Sequence, residues 1–157
     1  MTRTIPASLA PVLEQLELEQ ADLVTMSRLD ELVRSLRHPD DPARSLPEMI
    51  LARVESVEGD PLNEALFGSE STAVATALEM GSQPIVELLL RHYGPLLQRW
   101  KLAGRLYEDL DPGWVVQWLN TTTLFLLAPS WRHRSATDKR RFVEQFLVRA
   151  LVPQIRQ

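Results

Sequence analysis

The side chains able to do chemistry are few and scattered. The 157-residue chain has no cysteine, which excludes a disulfide framework, a thiolate nucleophile and a cysteine-ligated zinc or iron–sulfur centre. Its three histidines, His38, His92 and His133, stand far apart, and none has a second ligand at helix-face spacing. His38 precedes a proline and His133 sits among arginines, both positions of solvent-exposed loops. His92, beside Tyr93, is either a hydrogen-bonding group in a pocket or a surface residue. Glu14 with Glu17, and Glu55 with Glu58, share single helix faces. Paired carboxylates can do acid–base work, but a solvated amphipathic face accounts for these. No GxSxG, glycine-rich phosphate loop or HExxH occurs. The chain offers no catalytic residue, no metal ligand set and no cofactor motif, and it reads as a non-enzyme.

Charge narrows the partners. The formal net charge is −4, and it is uneven. Residues 1–70 hold 6 Lys and Arg against 14 Asp and Glu, whereas residues 71–157 hold 11 against 7. The acidic half repels phosphate, so direct DNA binding by this chain is not expected. The cluster Arg132, Arg134, Lys139, Arg140 and Arg141 has few interleaved aromatics and fits a solvated loop and helix start. Met1–Ala10 is too weak for a signal peptide, which leaves a cytoplasmic expectation. Pro112–Trp131 is uncharged and long enough to span a bilayer. Gln117, Asn120 and Thr121–Thr123 interrupt it, so a helix buried in a soluble bundle, with no membrane partner, is the better fit.

The elements that must position any site are helices. Apolar residues recur at three- and four-residue steps almost throughout. Leu29, Leu32, Val33 and Leu36 form one stripe, stopped by His38-Pro39-Asp40-Asp41-Pro42. Ser45 with Glu48 has the spacing of a capping box, ahead of Ile50, Val54 and Val57, and Gly59 ends or bends that helix. Asp60-Pro61 restarts a short one. A small helix through Val74 and Leu78 stops at Gly81. A longer helix runs from Pro84 past Trp100, kinked at Pro95 and ended by Gly104. Asp111-Pro112 caps a helix with almost no polar face. The final helix begins near Ser135 or Thr137, and Phe142, Val143, Phe146, Leu147, Ala150 and Leu151 give it a double-width apolar stripe. Pro6–Glu19 is read as an additional helix. The expectation is an all-α bundle of about six to eight helices, with an N-terminal extension over 1–21 and one domain over 22–157.

Aromatic residues are only 6% of the chain, yet there are four tryptophans, Trp100, Trp114, Trp118 and Trp131. Core packing is the default reading; an apolar pocket or subunit interface is the functional one.

A resemblance fits these segments. The run Pro84–His92, then Pro95-Leu96-Leu97 and Ala103-Gly104-Arg105-Leu106, resembles the long ligand-binding helix of tetracycline-repressor (TetR) family regulators. Asp109–Leu119 resembles the start of that family's next helix, Arg141–Leu147 with Leu151-Val152-Pro153 its last, and Gly59–Leu62 the break before its middle helices. The resemblance covers roughly residues 22–153. The family's helix-turn-helix head has no counterpart in the acidic residues 1–21, which lack a turn glycine, an aromatic pair and a basic recognition helix. The resemblance therefore implies an effector-binding and dimerisation domain without its DNA reader, either a fragment of a longer regulator or a naturally headless relative.

It further implies a homodimer built on the last two helices, about Asp111–Ala128 and Thr137–Val152, with Trp114, Phe125, Phe142, Phe146 and Ala150 in the interface. A ligand cavity is expected between the middle helices and the first of these two, lined by Met49, Met80, His92, Leu96, Trp100, Trp118, Thr121 and Thr122. No arginine or carboxylate is evidently committed there, so the expected guest is a small, neutral, hydrophobic molecule. The alternative is an interaction module that fills the cavity with side chains and pairs with another regulator.

Overall fold

A computed structural model describes residues 28–58 and 72–154, with side chains for 28–58 and 85–154. The expected helix at Pro6–Glu19, the extension 1–21 and the short helix after Asp60 lie outside the described residues.

The described chain is all-helical, without a strand. Helix α1 occupies 28–34, α2 Pro42–Glu58, α3 Thr72–Leu102 and α4 Pro112–Leu127. A four-residue helix, α5 (Pro129–Arg132), turns the chain. A single rod closes the fold: α6 (Ala136–Phe142), a π-helical stretch (Val143–Val148) and α7 (Arg149–Leu151) follow one another without a break.

Local chemistry sets most of the boundaries. At α4 the Asp111 carboxylate accepts from the Trp114 N–H at 3.1 Å, and Pro112 takes the first position, where no N–H is needed. Ser135 does the same for α6 through the Asp138 N–H. α3 ends where Gly104 adopts φ +71°, the left-handed turn that glycine enters without a Cβ clash. The Arg105 N–H then returns to the Trp100 carbonyl and the Gly104 N–H to the Lys101 carbonyl, the double closure of a Schellman motif.

Two expected boundaries move. α2 starts at Pro42, not after Ser45. Asp41 is the cap, its carboxylate accepting from the Ala43 N–H at 3.1 Å, and Ser45 instead donates to the His38 carbonyl at 2.6 Å. The helix also runs through Gly81, which was expected to stop it: α3 is continuous over 31 residues. An interior glycine costs only about 1 kcal/mol relative to alanine, too little to end a helix by itself. The same helix passes Pro95, which lies on its exposed side together with Arg91, whose carbonyl loses a donor there.

α4 is the central element, with α2 and α3 against it, and α2 also packs on the closing rod. The core joins Leu46, Met49, Ile50 and Val54 of α2 to Leu89, Tyr93, Leu96, Leu97 and Trp100 of α3. Val115, Val116, Leu119, Leu126 and Leu127 of α4 and Val143, Leu147 and Leu151 of the rod complete it. The loop between α1 and α2 is held by α3 and the turn that follows it: the Trp100 indole N–H donates to the Pro39 carbonyl at 2.7 Å, and Arg105 donates to the Asp40 carbonyl. Among the described residues no helix is long and apolar enough to cross a membrane.

Candidate functional site

α4 and the closing rod are antiparallel neighbours. Phe142, at the start of the rod, stacks on Phe125 near the end of α4 at 5.3 Å between ring centroids. Leu151, at the far end of the rod, shares a groove with Leu110 and Trp114 at the start of α4. The outward side of this pair is aromatic. Trp114, Trp118, Thr121 and Phe125 follow one another along α4 at three- and four-residue steps, and all are exposed. On the rod Phe146 and Ala150 are exposed and Phe142 is half-buried. Trp131 closes the cluster, 4.8 Å from Phe142 and 5.5 Å from Phe125, with Phe146 5.1 Å from Phe142. Beside it, Leu110, Trp114, Trp118, Thr121 and Leu151 line an apolar groove of about 460 Å³.

The five residues expected at a dimer interface thus share one face. Trp114 is 78% exposed, Trp118 51%, Phe125 44% and Phe146 62%. These four rings alone leave on the order of 500 Å² of apolar surface in water. A π-helical stretch supports Phe146; such wide turns are rare and recur at functional sites because they re-aim side chains.

The residues expected around a ligand are divided by the structure. Met49, Leu96 and Trp100 are buried in the core, at 1%, 5% and 1% exposure. Trp118 and Thr121 point the other way, onto the aromatic face. Thr122 is buried, and its hydroxyl donates to the Trp118 carbonyl at 2.8 Å. His92 Nδ1 lies 2.7 Å from an Asp30 carboxylate oxygen, tying α3 to α1, while its Nε2 is buried without a partner. The Met80 side chain lies outside the described residues.

Three residues that the sequence did not single out as a site, Arg53, Asn120 and Thr123, meet on the inner side of α4. Arg53 of α2 donates to the Asn120 amide oxygen at 3.2 Å and to the Thr123 hydroxyl at 3.5 Å. Tyr93 of α3 feels the Arg53 charge; it is 1% exposed, and its hydroxyl has no hydrogen-bond partner. Burial pushes the Tyr93 phenol up to about 12, against a smaller opposing pull from Arg53. Burial also lowers the Arg53 guanidinium from its ordinary value. The available signal was Asn120 in a mostly apolar helix: a buried amide requires partners, and the Thr123 hydroxyl, by contrast, already donates to the Leu119 carbonyl one turn back.

The basic cluster is broken up. Lys139 is buried, paired with Glu58 at 2.9 Å and donating to the Arg132 carbonyl. Arg134 lies over the Trp131 ring at 4.4 Å. Arg140 lines a mixed-charge groove of about 390 Å³ with Arg37, Arg44, Glu48 and Glu144.

Comparison of the chain with family models, curated proteins and solved structures gives no match.

Proposed function

We propose that the chain is an effector-binding and dimerisation domain of a TetR-like transcriptional regulator, acting as a homodimer. The observation that carries the reading is the aromatic outward face of α4 and the closing rod. A monomer gains nothing by holding two tryptophans and two phenylalanines in water. The apolar surface of these rings is more than half of the ~800 Å² that each partner commonly contributes to a stable interface. The occupant that fits best is a second copy. Two antiparallel helices with one apolar side present the same patch on both subunits, and a two-fold axis through that patch makes it self-complementary, as a four-helix interface. The groove beside Trp114 and Trp118 would receive a ring of the partner.

The reading of a pure interaction module also has a specific observation in its favour. Met49, Leu96 and Trp100 are packed into the core, as a filled cavity would require. Both readings need the same face. Sedimentation equilibrium of the purified chain tests it: a dimer at micromolar concentration is expected, and a monomer at every concentration up to 100 μM would remove the reading.

A further inference from the structure

We propose that the groove beside Trp114 and Trp118 is an effector site for a small aromatic amine, whose binding competes with assembly of the dimer. The inference rests on the homodimer reading above, and it gives the neutral guest expected from the sequence a single positive charge.

Three of the residues expected around an inner cavity, Met49, Leu96 and Trp100, are packed into the core. The outward groove has the room: its volume of about 460 Å³ lies in the range of small-molecule sites. Steps of three and four residues bring Asp111, Trp114, Trp118 and Thr121 to one side of α4, and all four line the groove, with Leu110 and Leu151 beside them.

This lining defines the guest. Two indoles, 78% and 51% exposed, and two leucines favour a flat apolar body. The charge follows from complementarity. Asp111 is the one ionised side chain in the groove, which has no lysine, arginine or histidine. Its Oδ1 accepts from the Trp114 N–H at 3.1 Å, and among the described residues no basic group pairs with the carboxylate. A cation is attracted both by this carboxylate and by the indole faces, whereas an anion is repelled by both. An aromatic amine combines the flat body with the charge.

The link to assembly is one of shared space. In the dimer the groove holds a ring of the partner, so it cannot hold a guest as well. A guest that binds only the free face shifts the equilibrium toward the monomer by mass action.

The test uses the whole chain at pH 7 with 2-(1-naphthyl)ethylamine, 2-(1-naphthyl)ethanol and 1-naphthylacetate, in calorimetric titration and in sedimentation. The amine should bind roughly tenfold more tightly than the alcohol, and the acid most weakly. Asp111→Asn keeps a capping side chain on α4 and should bring the amine down to the affinity of the alcohol. Trp118→Ala should weaken all three. In sedimentation the amine should convert wild-type dimer to monomer. Phe146, outside the groove, supplies the control: monomeric Phe146→Asp should bind the neutral alcohol more tightly than the wild type does, because no partner has to leave. Equal affinity for amine and alcohol, binding that leaves the dimer intact, or no binding of any probe overturns the proposal while the homodimer reading stands. A wild type that is monomeric without any probe removes the homodimer reading itself, and the competition with it.

Discussion

Each side of α4 carries exceptions to the usual plan. Its outward side carries Trp114, Trp118 and Phe125, while its inward side places Asn120 and Thr123 beside a half-buried arginine. In a helix that serves only its own fold, the apolar groups face the core and the polar ones face water. Here the outward aromatics are unexplained by folding, and the inward polar groups burden it. The contrast teaches that the sides answer to different demands: the outer aromatics fit the proposed protein interface, whereas the inner polar groups tie α2 to α4 within the subunit. It also separates the consequences of mutation. Outer changes should alter assembly and spare the fold; inner changes should alter stability and leave assembly alone.

The largest effect is expected from Phe146→Asp. Phe146 is mostly exposed in the single chain, so the subunit fold should persist, with its helical circular dichroism unchanged. In a dimer the new carboxylate would be buried without a partner, at about 4 kcal/mol, or roughly a thousandfold in the dissociation constant. Analytical ultracentrifugation should find a folded monomer. A normal dimer would place the interface elsewhere and break the comparison at its outer side.

The inner side is probed by alkaline pH. Burial raises the Tyr93 phenol to about 12, above the value near 10 of an unfolded tyrosine. Folding therefore favours the protonated form. The stability that this represents is fully present below pH 10 and is lost as the pH rises from 10 through about 12. Two units correspond to about 2–3 kcal/mol. Tyr93→Phe removes the titrating group. Denaturant melts between pH 9 and 12 should show a shallower decline for the variant than for the wild type, with unchanged sedimentation at neutral pH. Parallel declines would mean that the phenol reaches solvent.

What could be read in the sequence follows the range of the interactions. The caps at Asp111 and Ser135 and the end at Gly104 depend on residues within one turn, so residue type and spacing disclose them. The outward aromatics were legible because α4 and the rod have more apolar surface than one core uses. Asp41-Pro42 has the same Asp-Pro form as Asp111-Pro112, but it follows another proline and reads as part of a stop. The π-helical stretch has no residue signature. The inner cluster is the hardest case. Arg53 meets Asn120 and Thr123 across 67 and 70 positions, and Tyr93 comes from a third helix. No local pattern shows that an arginine one turn from Met49 will face two polar residues on α4. The division of the expected ligand residues has the same origin. Trp118, Thr121 and Thr122 are neighbours in sequence, yet the helical repeat of 3.6 residues turns the first two outward and the third inward.

The smallest effect sharpens the comparison because it should loosen one end of the outer face and leave the inner cluster alone. The Asp111 carboxylate occupies the N-cap of α4 and accepts from the Trp114 N–H, a donor that has no partner within the helix. Its charge also lies near the positive end of the helix dipole. Asp111→Ala removes both interactions, at a cost of about 1 kcal/mol. The fold should survive, since the core of α4 begins one turn further on with Val115 and Val116. Fraying should be confined to the first turn, which carries Trp114 and one wall of the groove shared with Leu151. Thermal melts should therefore show a small loss of stability, and sedimentation should show a dimer weakened by no more than about tenfold, the free-energy equivalent of roughly 1.4 kcal/mol. Asn120 and Thr123 lie two turns and more beyond the cap, so their contacts with Arg53 should be unchanged. Hydrogen exchange localises the effect: faster exchange limited to residues 113–116 fits the cap, whereas acceleration through residue 123 would mean that the two sides of α4 are coupled along its length and do not respond independently.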